Sequence, residues 1–167
     1  MRSRTIFRRA LSDQTGLTAM EVLFTMIILS IIAAISFGGY RTYTRHSNLS
    51  SNVYELVGML ERAHNLSVVS FNSKRHGIHF ETGKYVLFAG PTYQAGAQGN
   101  EERVLTGFRF ANPAVFDNGA GGLTQNVLFQ ALHGKTVNVG TIRIESVADP
   151  SVTKLISVNE VGVITIQ

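Results

Sequence analysis

The chain has no cysteine among its 167 residues. This absence excludes a disulfide-stapled scaffold, thiolate-ligated zinc, iron–sulfur clusters and a cysteine nucleophile. Only three prolines are present, which excludes a proline-rich linker or stalk. Charged residues make up 16% of the chain, below the roughly 25% of an average soluble protein. With 44% apolar residues, such a chain is not intrinsically disordered.

The positive charge is concentrated at the start of the chain. The net charge is +4, and the first 16 residues carry four arginines against one aspartate. The remaining 151 residues carry 11 basic and 10 acidic side chains, so their net charge is only +1. The overall basicity therefore gives little support to nucleic-acid binding by the rest of the chain.

A long apolar run follows the basic leader. Between Gln14 and Tyr40 the only charged residue is Glu21. As a helix, residues 17–40 would be about 36 Å long, enough to cross a hydrocarbon core of about 30 Å. A buried core helix would show a polar face, and a secretory signal peptide would have a shorter run that ends in small residues. The run therefore predicts a membrane-spanning helix, with the leader on the cytoplasmic side.

The carboxylate inside this run needs a reason, because an acid in a membrane is costly and is functional by default. The leader ends in Gly16, the apolar run begins at Leu17, and Glu21 is the fifth residue from there. This order of basic leader, glycine, four residues, glutamate and long apolar helix resembles the class III signal of type IV prepilins and type II secretion pseudopilins.

The resemblance implies how the chain is processed and assembled. A membrane prepilin peptidase would cleave between Gly16 and Leu17, and Leu17 would become the methylated N-terminal residue. Glu21 would guide filament assembly by meeting the N-terminal ammonium of a neighbouring subunit. Two charges that are each costly alone would then form a pair in a low-dielectric setting.

Two further patterns concern the helix itself. Ser30, Ala34 and Gly38 recur at four-residue steps and would let a second helix pack closely, although chance also produces such stripes in membrane helices. Farther along, apolar residues recur at three- and four-residue steps from Leu49 to Ala63, with polar residues between them. This predicts an amphipathic continuation of the helix over residues 41–72. The polar residues at 47–51 could interrupt it.

Short strand patterns follow the helix. They cover 75–80, 85–90, 103–110 as one or two strands, 127–132, 141–146, 155–159 and 162–167. Glu81-Thr82-Gly83 and Asn159 to Gly162 would close hairpins, whereas 91–100 and 112–122 have loop composition.

The patterns together predict an α+β fold of the pilin kind. A long N-terminal helix, transmembrane in its first half and amphipathic in its second, would pack on an antiparallel β-sheet or small β-sandwich. The predicted organisation is a cleaved leader over 1–16, a transmembrane and filament-core helix over 17–40, its amphipathic continuation over 41–72 and a β-rich head over 73–167.

The head resembles a narrower group, the GspH/FimT-like minor pseudopilins and minor pilins. The helix tail over 60–65, the strand pair HGIHF and YVLF, and the glycine-and-strand pattern of 127–167 carry this likeness. Major type IV pilins have a C-terminal disulfide loop, and this chain has no cysteine. Major pseudopilins have an acidic calcium loop, whereas here only Asp149 and Glu160 lie near the end, too few for six or more oxygen ligands. Both departures favour a minor subunit.

Catalytic and metal-binding patterns are weak. His76 and His79 are three apart and would face opposite sides of a strand. Gly134-Lys135-Thr136 is similar to the end of a phosphate-binding loop, but Phe129 stands where that motif needs glycine. We therefore expect no metal, no cofactor and no enzymatic activity.

The expected function is that of a structural subunit of a type II secretion pseudopilus or a type IV pilus, at or near its tip. The resemblance implies, as partners, other pilins or pseudopilins, prepilin peptidase, the inner-membrane assembly platform and membrane lipid. It also implies a single-pass inner-membrane protein whose head is periplasmic, before it joins a periplasmic or extracellular filament. The alternative is a minor pilin whose head binds DNA for uptake. Its candidate contacts are Arg103, Arg109, Lys135, Arg143 and Lys154.

Overall fold

One helix and ten strands make up the described fold. The computed structural model describes residues 18–70 and 74–167, except for the side chains at 37, 38, 41 and 42. Helix α1 spans Ala19–Val68. The strands are β1 (His76–Glu81), β2 (Lys84–Ala89), β3 (Glu101–Val104), β4 (Phe108–Phe110), β5 (Phe116–Asp117), β6 (Leu123–Thr124), β7 (Asn126–Phe129), β8 (Gly140–Ser146), β9 (Thr153–Val158) and β10 (Ile164–Ile166). This confirms the α+β class.

Helix α1 continues without interruption through Ser47-Asn48 and Ser50-Ser51, the two places where the sequence left a break open. Ser51 donates its hydroxyl to the carbonyl of Ser47 at 3.1 Å, and Asn52 donates its amide to the carbonyl of Asn48 at 2.8 Å. Polar side chains that donate to a carbonyl of the preceding turn satisfy their own hydrogen-bonding groups without leaving the helix. The local sequence therefore does not break it.

The helix ends earlier than the predicted residue 72. Val68 is its last residue, and the Ser70 N–H donates to the carbonyl of Ser67 at 3.0 Å. Ser70 has a φ of 47°, in the left-handed region. A left-handed residue just past the last helical turn is a common helix stop.

The strands form two four-stranded antiparallel sheets and one small hairpin. The first sheet has the order β3-β2-β1-β7, the second has the order β10-β9-β8-β4, and β5 pairs with β6. Glu81 lies opposite Lys84, so Thr82 and Gly83 form a two-residue turn between β1 and β2. Residues 159–163, which include the predicted turn from Asn159 to Gly162, join β9 to β10. Both predicted hairpins are confirmed.

One strand prediction that left two possibilities open is now decided, and two others need correction. Segment 103–110 contributes to both sheets, β3 to the first and β4 to the second, and the chain turns between them at Gly107 with φ of 79°. Segment 112–122 is not entirely loop, since β5 lies within it and pairs with β6. Segment 127–132 leaves the sheet after Phe129 and enters a turn, in which the Gly134 N–H donates to the carbonyl of Gln130 at 3.0 Å and Leu132 has a φ of 69°, outside the β region.

A single hydrophobic core lies in the part of the chain after Thr42, and three layers contribute to it. The helix supplies Leu49, Val53, Leu56, Met59, Leu60 and Ala63; the first sheet supplies Ile78, Phe80, Tyr85, Leu87, Val127 and Phe129; the second supplies Phe108, Phe110, Ile142, Ile144, Ile156 and Val158. Burial of each large apolar side chain stabilises the fold by about 1.5–3 kcal/mol. The amphipathic spacing of the helix is thus the reason it packs against the sheets.

The chain divides into two compact units. The first is Met1–Arg41 and the second is Thr42–Gln167. The dividing position falls within the range of α1.

Candidate functional site

The beginning of α1 is built around Thr18 and Glu21. Thr18 precedes the first helical residue, and its hydroxyl oxygen accepts a hydrogen bond from the Glu21 N–H at 3.3 Å. A threonine at this position with a glutamate three residues later is the capping-box sequence, which satisfies free N–H groups at a helix start. The partial positive charge of a helix N-terminus also stabilises a carboxylate in the first turn.

Glu21 thus has a structural reason for its place at the start of the helix. Its side chain is exposed, and it is the one acidic residue in the first helical turn. The Thr-x-x-Glu spacing is visible in the sequence and is the signal that identifies Thr18, which was not among the predicted site residues, as the cap of the helix.

The helix beyond Glu21 is long and apolar enough to span a membrane. Residues 19–36 have a mean hydropathy of 2.2, and none of that segment is buried against the rest of the chain. The exposed large apolar side chains here are Met20, Val22, Leu23, Phe24, Met26, Ile27, Ile28, Leu29, Ile31, Ile32 and Ile35. An apolar patch of this extent indicates a lipid or protein environment.

The hydroxyl groups in this segment donate within their own helix. Thr25 donates to the carbonyl of Val22 at 2.8 Å, Ser30 to that of Met26 at 2.7 Å, and Ser36 to that of Ile32 at 2.8 Å. Such back-bonding is the usual way in which an apolar helix accommodates serine and threonine. The segment therefore exposes its apolar side chains and keeps its hydroxyl hydrogens occupied.

Other predicted site residues at this end are only partly described. Ser30 and Ala34 are both exposed, one turn apart on the helix, while the surroundings of Gly38 lie outside the described residues. Gly16 and Leu17, the predicted cleavage and methylation residues, also lie outside them.

The candidate DNA contacts do not form a single basic patch. Arg103 pairs with Glu55 at 3.2 Å, and Arg109 and Arg143 lie 2.9 and 3.9 Å from Glu145. The Glu145 side chain is only 10% exposed, so both arginines cover one sequestered carboxylate. Nearby acids thus offset much of the charge of all three arginines.

The two lysines lie elsewhere. Lys154 is half-buried in β9 and lies opposite Ile144 of β8. Because Arg143 is the neighbour of Ile144 in β8, and neighbouring side chains of a strand point to opposite faces, Lys154 and Arg143 lie on opposite faces of the sheet. Lys135 is exposed in the turn after β7. Neither lysine forms an ion pair with a residue that the structure describes.

The histidines of β1 occupy separate surroundings. Ser67 fixes the main chain of the buried His76, accepting from its N–H at 2.9 Å and donating to its carbonyl at 3.3 Å. Burial lowers the pKa of His76, a hydrogen bond from the imidazole to the Lys74 backbone carbonyl partly opposes this, and the charge of Lys74 lowers the pKa further. His79 stacks on Tyr93 with ring centroids 3.9 Å apart, and its Nδ1 lies 2.8 Å from the side-chain oxygen of Asn126.

No metal-binding cluster occurs among the described residues, where no three His, Cys, Asp or Glu side chains converge. The Asp149 carboxylate accepts from the hydroxyl and N–H of Ser151 at 2.6 and 3.1 Å. These bonds, aided by Arg45, lower the pKa of Asp149. The carboxylate therefore stabilises a turn.

Gly134-Lys135-Thr136 lies in the connection between β7 and β8. Gly134 has a φ of 65°, and a Cβ added there would strike the imidazole of His64. Thr136 is buried and its N–H donates to the carbonyl of Glu160 at 3.0 Å. The segment holds two turns and the helix together, which is a packing role.

Comparison of the chain with family models, with curated proteins and with solved structures gives no match.

Proposed function

We propose that the protein is a minor pseudopilin or minor pilin, a structural subunit of a type II secretion pseudopilus or type IV pilus, at or near its tip. The observation that carries this proposal is the position of Glu21. It is the lone charge of an exposed apolar helix, and it lies in the first turn, one turn from the predicted processing position. Helix capping alone would explain an acid in the first turn, but an acid in an apolar membrane segment is costly, and the resemblance to the class III signal gives it a use in assembly.

Maturation follows from that arrangement. The leader of the protein lies on the cytoplasmic side of the membrane. The prepilin peptidase cleaves after Gly16, and Leu17 becomes the methylated N-terminal residue. The helix then anchors the chain in the inner membrane with the head in the periplasm. A type II secretion or type IV pilus assembly platform draws the subunit into the filament.

Assembly depends on pairing two charges. The ammonium at Leu17 of one subunit and the carboxylate of Glu21 in its neighbour would each be costly to keep in an apolar helical bundle. Removal of one partner from a buried pair costs about 3–5 kcal/mol, because the other charge remains without compensation. The exposed apolar face from Met20 to Ile35 supplies the remaining contact surface.

The head contributes shape rather than chemistry in this proposal. Three of its polar groups of possible catalytic type have structural partners: Glu145 pairs with two arginines, Asp149 stabilises a turn, and Ser67 bonds to the main chain of His76. The protein thus acts as a subunit of an assembly and not as an enzyme.

The test is to replace Glu21 in a strain that lacks the wild-type gene. Glu21→Leu should insert in the membrane and be cleaved after Gly16, since the carboxylate lies a helical turn beyond that bond. Its recovery in sheared or crosslinked filaments should be strongly reduced. Glu21→Asp keeps the charge with a shorter reach and should be intermediate.

Glu61→Leu is the matched control, because it removes an exposed acid from the same helix outside the apolar segment. It should assemble normally. Normal recovery of Glu21→Leu in filaments would show that the carboxylate is not the assembly group and would overturn the proposal.

A further inference from the structure

Three of the four sheet edges are protected against pairing with another strand. β3 carries Glu101, Glu102 and Arg103 in its four residues, and charge is a common means of protecting an edge. On β7, the N–H of Leu128 that points away from the sheet donates to the side-chain oxygen of Asn138 at 2.9 Å. On β4, the outward N–H of Phe110 donates to the carbonyl of Thr82 at 2.8 Å.

The fourth edge, strand β10, has none of these protections. Gln167 exchanges both of its main-chain hydrogen bonds with Leu155, at 2.9 and 3.2 Å. Because inward and outward groups alternate along an antiparallel strand, Ile164 and Ile166 direct their N–H and C=O groups away from β9. Among the described residues, nothing bonds to these four groups. The segment 161–167 contains no charged side chain and no proline.

We propose that β10 is a self-association edge, at which a second copy of this chain pairs its own β10 in antiparallel orientation. With a two-fold axis through Thr165, Ile164 of one copy lies opposite Ile166 of the other. Both residue pairs are then hydrogen-bonded pairs, so four main-chain bonds form. The two four-stranded sheets become one sheet of eight strands, and the same surface serves both copies, as a two-fold interface requires.

The side chains fit this register. Ile166 lies opposite the buried Ile156 in β9, so it is on the core-facing side of the sheet, yet it is 38% exposed because the sheet ends there. Ile164 is only partly covered by the core. In the proposed pair, Ile166 of each copy covers Ile164 of the other, and cross-strand β-branched pairs of this kind stabilise a sheet.

Electrostatics also permits a second copy. No side chain from Val161 to Gln167 is charged, so pairing of two β10 strands brings no like-charged side chains together across the interface. β10 itself is thus an uncharged strand with free groups that match its own edge.

The experiment uses the absence of cysteine from the chain. In the proposed register the two Thr165 residues form a non-hydrogen-bonded pair, whose Cα separation of about 4.5 Å is within the range for a disulfide. Full-length Thr165→Cys protein, purified in detergent and oxidised with copper phenanthroline, should migrate mainly at twice the monomer mass on a non-reducing gel. Thr141→Cys, on the same face of the sheet but two strands away, should remain monomeric.

A second pair of variants tests the main-chain bonds. Ile166→Pro removes the outward N–H, and Ile166→Val keeps it with a similar side chain. In the Thr165→Cys background the valine variant should crosslink like the parent, and the proline variant should fall to the level of Thr141→Cys. Should the proline variant be degraded, Ile166→Lys makes the same test, because it keeps every main-chain group and adds a charge at the edge.

The proposal is wrong if Thr165→Cys crosslinks no better than Thr141→Cys, or if it links to a different protein instead of itself. Equal crosslinking of the proline and valine variants would also overturn it. Incorporation of Glu21 variants into filaments has no part in these outcomes, so this proposal and the proposed function fail separately.

Discussion

Both terminal nitrogens of Arg62 donate to the carboxylate of Glu101, at 2.6 and 2.7 Å. The pair joins helix α1 to edge strand β3 across 39 positions of sequence. A second ion pair, Arg103 with Glu55 at 3.2 Å, joins the same two elements. It lies two residues farther along the strand and two turns earlier in the helix. In the first pair the helix supplies the arginine, and in the second pair it supplies the glutamate. The two ion pairs together fix the position and the direction of β3 along the helix.

Removal of the first tie should have a small, salt-dependent effect. Both side chains are partly exposed, so Glu101→Gln should lower the free energy of unfolding of the head by about 0.5–1 kcal/mol. The loss should shrink in 1 M salt, where charges are screened. Chemical denaturation followed by circular dichroism measures it, and Glu160→Gln, an exposed acid, is the control. A loss equal in low and high salt would contradict an electrostatic role.

The two glycines beside His64 should be intolerant of any side chain. At Gly162, with φ of 86°, an added Cβ would lie 2.8 Å from the imidazole Cδ2 and would also strike the carbonyl of Gly134. Left-handed strain and this collision together should make Gly162→Ala destabilising by about 2 kcal/mol or more. Gly58→Ala is the matched control, because Gly58 is helical and has open space around it. It should stabilise the head by about 0.5–1 kcal/mol, and thermal unfolding distinguishes the two.

The stability of the head should fall as the pH drops below about 6.5, in part because of His76. Burial lowers the pKa of the folded imidazole below its ordinary value of 6.5, so the unfolded chain takes up the proton first. Protonation therefore favours unfolding in the window between the folded pKa and 6.5. His76→Leu should flatten this part of the stability curve, whereas His133→Leu, at an exposed position, is the control. An unchanged slope in His76→Leu would exclude the buried imidazole as a cause.

Processing should depend on residue size at Gly16. The peptidase must bring its catalytic acids to the bond between residues 16 and 17, so Gly16→Ala should be cleaved less and Gly16→Leu not at all. Mass spectrometry of N-terminal peptides from the wild type should find a mature chain that begins with methylated Leu17. A mature chain that begins elsewhere would refute the class III signal.

DNA binding by the head should be no tighter than micromolar at physiological salt. Arg103, Arg109 and Arg143 already have acidic partners, and phosphate contacts would have to compete with Glu55 and Glu145. A salt titration measures this, since each phosphate contact contributes about 0.9 to the slope of log affinity against log salt. Submicromolar binding with a steep slope would favour the DNA-uptake alternative instead.

The sequence predicted the elements whose signals are local. The β1–β2 hairpin has alternating side chains around a two-residue turn, and the β9–β10 hairpin has Asn159, whose side-chain oxygen accepts from the N–H groups of Val161 and Val163 at 3.1 and 2.9 Å. Such turns are determined by residues a few positions apart. The two-residue strands β5 and β6 have no periodic pattern, and their hairpin was therefore missed.

Long-range relationships could not be predicted in the same way. The pairing of β1 with β7 places Ile78 opposite Val127. Nothing in the local sequence of either strand indicates which other strand it will pair with. The same holds for the acids that hold Arg103 and Arg109, which lie 48 and 36 positions away. Candidate DNA contacts chosen by charge alone therefore included arginines that the fold had already given partners.

The hydroxyls of Thr25, Ser30 and Ser36 have a consequence for movement between environments. Each donates to a carbonyl of its own helix, so a change of surroundings from acyl chains to another helix would break none of these bonds. In the proposed assembly, transfer of residues 22–36 from bilayer to filament would exchange one set of apolar contacts for another at little enthalpic cost. The apolar side chains would then favour neither environment strongly. The carboxylate of Glu21 would be the group that makes the filament the preferred one.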